Sequence, residues 1–401
     1  MTKSLHISPR PKAAQIIVVG GGLAGVVAAL GLAKTLDSKK TCIEIIHLAP
    51  PAPPDSRTSA LMSPSVEILS QLGLVANPDQ IGEPLTKIRL IDATSRLLRT
   101  PETLFESSEV GEKAFGWNFA NKKLMQNLLP LAKKHKNLSQ ISLTANKMQK
   151  TANGWRLTLS DGSMLEAPLI VGADGKNSFV RKSAEINIHR KQHQQSALVC
   201  DLALERPLDG ESVEYHYENG PFTLVPAGGL KANLVWVDQG EKLTEISKLA
   251  GKEIEKTLQE KSQNLFGKLT LETAAFVFPL STHHVSKMGK NGVVLVGESA
   301  HAFPPIGAQG LNLSLRDVAA LLQCLEKVDA TKPDWADKIS SDYNKMREMD
   351  VINTNRMVDT LFKTLLSDYL PAQMVRAGSM WALKSFAPLR KQAIGMGMGT
   401  R

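Results

Sequence analysis

Residues 16–33, IIVVGGGLAGVVAALGLA, run for 18 positions without a charge. That length reaches the threshold for a membrane-spanning helix, and Gly21 with Gly25 makes a GxxxG helix-pairing face. The basic start, with Lys3, Arg10 and Lys12, also suits a signal peptide, and residues 1–36 carry no acid, as in short organellar presequences. The interior of the run argues for something else. QIIVV, residues 15–19, is short and β-branched, whereas LAGVVAALGLAKTL, residues 23–36, has a helical composition. Between them lies Gly20-x-Gly22-x-x-Gly25, and TCIEIIHL, residues 41–48, follows as a second buried strand. Strand, glycine turn, helix and strand within about 34 residues make a βαβ unit that binds a dinucleotide.

Each glycine has a mechanical task in such a unit. Gly20 makes the turn, Gly22 lets the backbone approach a pyrophosphate, and Gly25 allows close helix–strand packing. The free N–H groups of the helix start then bind the phosphates. An acid normally ends the second strand and holds the adenosine ribose, but that position here is His47. Glu44 falls on the opposite face by strand alternation. His47 either contributes one hydrogen bond to the ribose or simply closes the strand.

Composition narrows the remaining classes. The chain of 401 residues has room for two or three domains, and its 42% hydrophobic and 22% charged content reads as globular. The net charge of +9 is scattered; the one short cluster is Lys133-Lys134-His135-Lys136, and no aromatic residue interleaves with it, so nucleic acid is not an expected partner. Three cysteines, Cys42, Cys200 and Cys324, form no CxxC and point to a reducing compartment without structural disulfides or zinc. After Asp368 no acid occurs. Arg376, Lys384, Arg390, Lys391 and Arg401 lie there among Met374, Val375, Met380, Trp381, Leu383, Phe386 and Leu389. Such a terminal helix docks on a membrane surface or partner, or packs on the protein's own core.

Two distant segments bear on the ligand. LIVGADGKNSFVR, residues 169–181, ends a buried strand in Asp174-Gly175 and turns toward Ser178 and Arg181. NGVVLVGESAHAFPPIGAQGLN, residues 291–312, places Glu298 at another buried strand end, then a loop with Pro305, Gly307 and Gly310, then a helix over 311–322. A carboxylate there suits ribityl hydroxyls, and loop N–H groups with the helix dipole suit an anionic reduced flavin ring. No Ser-His-Asp pattern, HExxH or pair of catalytic acids is present. His301 reads as a loop brace or a proton carrier, and His283-His284 alone make no metal site. A second layer of strands is expected at 197–204, 221–227, 232–238 and 272–280, with Phe222, Leu224, Trp236, Phe276 and Phe278 as apolar lining candidates.

Together GGGLAG, GADGKNS and GESAHAFPPIGAQGLNLSLRDVA resemble the FAD-dependent aromatic hydroxylases with one Rossmann domain, and within them the ubiquinone-biosynthesis hydroxylases. DSRTSAL (55–61), SVEILSQLGL (65–74), NKKL (121–124), PFTLVPAG, LVWV, FPL and APLRKQAIGMGMG extend the resemblance over nearly the whole chain. It implies an α/β fold: a Rossmann-like FAD-binding domain, an interleaved antiparallel β-sheet substrate domain and a C-terminal helical segment. The implied boundaries are 1–83, 113–183 and 285–370 for the FAD-binding domain, 84–112 and 184–284 for the substrate domain, and 371–401 for a basic apolar tail.

The resemblance also implies roles. Gly20, Gly22 and Gly25 hold the FAD pyrophosphate, with His47 in the ribose position; Arg57 and Asn121 contact FAD near the flavin and its chain. Asp174 touches FAD and assists the reductant. Glu298 stands where the family mostly has Asp, Pro305 lies beside the flavin ring, and Gln309, Gly310, Leu311 and Asn312 supply N–H groups to the pyrimidine edge. The loop reads GAQG where AGQG is more usual, and Ala308 takes a positive φ less cheaply than glycine. The implied reaction draws hydride from docked NAD(P)H or another external donor, combines with O2 as a flavin C4a-hydroperoxide, and hydroxylates a polyprenylated phenol of ubiquinone synthesis. The alternatives are a small soluble aromatic acid as substrate, or a flavin-binding subunit that scaffolds a quinone-synthesis complex without turnover. The expected location is cytoplasmic, with peripheral attachment at the inner membrane through 371–401.

Overall fold

The structure, a computed structural model, describes residues 12–13, 15–39, 43–51, 55, 57–367 and 369–399. Expectations resting on Lys3, Arg10, Cys42, Asp368, Arg401 and the side chain of Lys12 lie outside the described residues.

The 16–33 run resolves as strand Ile16–Val19 followed by helix Leu23–Ser38, so a single membrane-crossing helix is not what it forms. No described helix is long and apolar enough to cross a membrane. Ile16–Val19 sits inside a six-stranded sheet ordered Gly289–Lys290, Val293–Leu295, Leu169–Gly172, Ile16–Val19, Ile45–Leu48, Leu138–Ile141. The pairings are parallel apart from the first. Both faces of these strands are covered, which is why IIVV, VVL and IIHL read as continuous apolar runs rather than alternating ones. Helix Leu23–Ser38 crosses close to helix Gln309–Lys327. A Cβ on Gly31 would lie 2.9 Å from Leu322 Cδ1, so the glycine permits that contact.

A second sheet, nine-stranded among the described residues, carries the expected strands as Ile188–Leu204, Gly220–Pro226, Lys231–Gln239 and Phe276–Val285. The last begins later than expected. Leu269–Leu271 pairs separately with the long strand, and the Thr273 hydroxyl takes the Asp201 N–H where a ladder carbonyl would stand. Helices Gly240–Ile246 and Gly251–Lys261 close one face of this sheet over Leu198, Tyr215, Phe222, Leu224, Leu234 and Trp236. Burying each such side chain stabilises by about 1.5–3 kcal/mol.

The two layers are joined by the 297–312 stretch itself. It leaves Val293–Leu295 in the parallel sheet, adds His301–Ala302 to the edge of the second sheet beside Phe276–Val285, and then enters helix Gln309–Lys327. A small sheet of Thr58–Met62, Gly116–Ala120 and Gly82–Leu85 is tied to the second sheet through Asn118 and to the 305–312 loop through Met62 N. The tail forms two helices rather than one, Leu370–Ser385 and Ala387–Met398, broken at extended Phe386 with Pro388 in the first turn of the second. Their inner side chains Met380, Ile394 and Met398 pack with Phe105, Phe115 and Ala308, while Met374, Val375, Trp381, Phe386 and Leu389 remain exposed.

Candidate functional site

The glycine turn is built on three different constraints. Gly20 has φ +129°, and a Cβ there would lie 2.1 Å from the Ala173 carbonyl oxygen. A Cβ on Gly25 would lie 2.0 Å from the Gly20 carbonyl oxygen. Gly22 differs: among the described residues, apart from its chain neighbours, no atom stands within 4 Å of its would-be Cβ. Helix Leu23–Ser38 starts there with no side-chain cap and no acid in its first turn, so its N–H groups face that open space. A cradle of that shape fits a dinucleotide pyrophosphate.

His47 braces the turn. It is buried, and its Nε2 donates to the Gly20 carbonyl at 2.9 Å. Burial lowers its pKa, with the Gly20 bond opposing, so the ring is neutral. The imidazole thus supports the glycine turn from the neighbouring strand.

Arg57 and Asn121 meet at a residue that motif reading passed over, Asp55. Arg57 Nε and Nη2 donate to its two oxygens at 2.8 and 2.9 Å, and Asn121 Nδ2 donates at 2.8 Å. Ser59 donates to Asn121 Oδ1 at 2.7 Å. Burial pushes the Asp55 pKa up, but the Arg57 and Asn121 hydrogen bonds outweigh it and hold the carboxyl below its usual range. Glu298 adds a second negative charge near Arg57. The D-x-R spacing was the available signal.

Glu298 itself is exposed, on a single turn Gly297–Ser299 whose backbone is fastened from several sides. His283 Nε2 donates to the Glu298 carbonyl at 2.9 Å, Asp317 accepts from Gly297 N at 2.9 Å, and Arg181 donates to the Ser299 carbonyl at 2.6 Å. Burial drives the His283 pKa down to about 4. Gly297 also abuts the glycine helix, its would-be Cβ lying 3.3 Å from Ala24 Cβ. The Glu298 carboxylate is thus exposed on a turn whose backbone is held by buried side chains.

Asp174 carries structural bonds within the chain. Its Oδ1 accepts from the Ser178 hydroxyl at 2.5 Å, and Oδ2 accepts from Phe179 N and Val180 N at 2.7 and 3.0 Å. The carboxylate therefore caps helix Phe179–Ser183 and is occupied within the chain, because Ser178 four residues on brings a helix start under it.

His301 is a brace. Buried to 1% exposure, its Nε2 donates to Asp317 at 2.7 Å and its ring stacks on Phe303. Asp317, fully buried, also accepts from Arg347 Nε at 2.8 Å. Burial pushes its pKa up, and His301 and Arg347 pull it below the usual value. Arg347 continues to Asp350. Asp317 and Arg347 lie on two different helices, Gln309–Lys327 and Trp335–Leu366, and were not singled out in sequence.

In the loop, Pro305, Gly307 and Gly310 are exposed while Gln309 and Asn312 are buried. Ala308 does adopt the left-handed region, φ 52°, as the residue before helix Gln309–Lys327, at a cost of roughly 1–2 kcal/mol relative to glycine. Asn312 holds the loop in place: Oδ1 accepts from Met62 N at 2.9 Å, and Nδ2 donates to the Ala60 and Ala308 carbonyls at 2.9 and 2.6 Å. Among the described residues, apart from its chain neighbours and its own helix backbone, Gly310 has no atom within 4 Å of a would-be Cβ, so open space lies before this helix start as before the first. The glycine turn, Glu298, Arg57, Asn121, strand Thr58–Met62 and the Pro305–Asn312 loop thus form one continuous rim.

The lining candidates divide by strand parity. Phe222, Leu224 and Trp236 are fully buried on the helix-covered face, with Phe222 edge-on to Trp236 at 5.9 Å. They are core, not lining. Their neighbours Thr223, Val225, Val235 and Val199 are half-buried on the other face, where Ala197 and Val237 pack on Ile306 of the loop. Phe276 and Phe278 belong to this open face and are 55% and 47% exposed. The largest side chains marked the closed face because two helices demanded that volume.

One phosphate turn facing a glycine-rich loop across a carboxylate and arginine rim defines a dinucleotide enzyme with one nucleotide domain. The chain belongs to the FAD binding domain family, which matches residues 13–338, and it is an FAD-dependent aromatic-ring monooxygenase. It is similar to the ubiquinone hydroxylase UbiL of Rhodospirillum rubrum, 28% identical with 97% of this chain and 90% of that protein covered. It is also similar to the 3-demethoxyubiquinol 3-hydroxylase of Escherichia coli, 26% identical, covering 96% and 98%. The solved p-nitrophenol 4-monooxygenase PnpA of Pseudomonas putida shares the fold, with a TM-score of 0.75 at 15% identity over 97% and 99% of the two chains.

Proposed function

We propose that this monooxygenase hydroxylates the phenol ring of a polyprenylated quinone precursor. The observation that carries the reading is the open sheet face of Val199, Thr223, Val225, Val235 and Phe278 set against the loop of the FAD site. Full-length similarity to two proteins named as ubiquinone-pathway hydroxylases supports it.

Gly22 and the N–H groups of its helix would hold the FAD pyrophosphate, and Glu298 the hydroxyls of the ribityl chain. Arg57 and Asn121, locked by Asp55, would flank that chain. Pro305 would wall the ring, and Gln309 to Asn312 would present N–H groups to its pyrimidine edge. Bound FAD would supply electron storage and oxygen transfer, with electrons from NAD(P)H or another external donor and oxygen from O2. The chain's own contribution is to orient the ring on the valine face and exclude water. The FAD-binding unit is 1–83, 113–183 and 285–370, and the substrate unit is 84–112 and 184–284.

The tail supports a surface role. Exposed Met374, Val375, Trp381, Phe386 and Leu389 stand beside Lys384 and Lys391, a combination suited to anionic lipid or a quinone-synthesis partner. A deletion strain should accumulate a prenylated precursor lacking one ring hydroxyl. Unchanged quinone, with NAD(P)H oxidation stimulated by soluble benzoates, would move the substrate to small aromatic acids.

A further inference from the structure

Resting on that reading, we propose that Asn118, Asn233 and Asp201 form the specificity contact for the hydroxyl-bearing edge of the substrate ring. Asn118 Nδ2 donates to the Pro226 carbonyl at 2.8 Å and to Asn233 Oδ1 at 2.7 Å. Asn233 Nδ2 donates to Asp201 Oδ1 at 2.6 Å. The partners dictate both amide orientations, since only an N–H group can face a carbonyl or a carboxylate. The row therefore has direction, and it leaves Asp201 Oδ2 and Asn118 Oδ1 as acceptors with no partner among the described residues.

Its position makes this chemistry relevant. Asn118 pairs in register with Ala60, whose carbonyl takes the amide of Asn312 at the loop-helix start. One strand spacing, about 4.8 Å, thus separates the row from Ala60, whose carbonyl anchors the loop's Asn312. From there it runs onto the open face. Asn233 pairs with Val225 and with Asp201, and it shares its face with Val235. A ring laid on Val225 and Val235 meets polar atoms at this row. Asn118 and Asn233 are 4% and 7% exposed, and Asp201 is half-buried, so water competes weakly. A phenolic hydroxyl can donate to Asp201 Oδ2, whereas a methyl ether at the same carbon cannot.

The test uses the FAD-loaded protein and titrates ortho-geranylphenol and its methyl ether by perturbation of flavin absorbance. Wild type should bind the phenol about tenfold or more tightly than the ether, as expected for a hydrogen bond to a charged acceptor. Asp201→Asn keeps the shape and the bond from Asn233 but turns an N–H toward the ligand. The preference should vanish or reverse with FAD content and Tm unchanged, and Asp201→Ala should abolish it too. A variant that keeps the wild-type preference overturns this inference alone. A wild-type protein that binds neither compound overturns it together with the proposed function.

Discussion

Asp174 and Glu298 look alike in sequence: each is a carboxylate that ends a buried parallel strand and opens a turn. Their surroundings separate them. Asp174 receives three hydrogen bonds from Ser178, Phe179 and Val180 and is occupied within the chain. Around Glu298 it is the backbone that is held, by His283, with Asp317 and Arg181 on its neighbours, while the carboxylate stays exposed beside Arg57. The two strand-end acids thus differ in what they hold: Asp174 supplies structural bonds to its own turn, whereas other groups supply those around Glu298. Gly25 and Gly22 repeat the contrast, one pressed against a carbonyl and the other against open space.

The contrast breaks first where the support is buried. Asp317→Ala leaves His301 and the Arg347 guanidinium in a dry interior, and should cost about 3–5 kcal/mol in denaturant unfolding. A loss below about 1 kcal/mol would mean the Glu298 turn does not depend on it. His283 gives a pH test. Its pKa is about 4 folded against 6.5 ordinarily, so the unfolded chain binds more protons between these values. Its contribution is complete above pH 6.5 and is lost as pH falls toward 4, on the order of 3 kcal/mol. His283→Gln should reduce that slope in unfolding free energy; buried His47, also shifted down, keeps it from vanishing.

The two strand-end acids themselves should then dissociate stability from binding. Asp174→Ala should lower stability by about 1–2 kcal/mol through the lost cap. Glu298→Ala should change stability by no more than about 0.5 kcal/mol, yet weaken FAD binding about tenfold. Equal effects on both readouts would erase the distinction.

The βαβ unit, the positions of the buried strands and the glycine-loop helix were legible because buried parallel strands and helix starts carry local signatures. Parity on the second sheet was not. Trp236 and Phe222 advertise burial but not which face is buried, and that depends on helices Gly240–Ile246 and Gly251–Lys261 packing from later in the chain. Asp317 and Arg347 escaped for the same reason, since a buried ion pair between two helices leaves no pattern in either one. His47 aligned with a ribose acid, but its bond to Gly20 crosses strands.

The central claim is that the open positions, not the closed ones, receive FAD. Apo-protein titrated with FAD should bind it stoichiometrically. Gly22→Val should abolish that binding while the apo Tm stays unchanged, because its side chain enters space that only the pyrophosphate needs. A Gly22→Val protein that binds FAD as tightly as wild type would contradict the account.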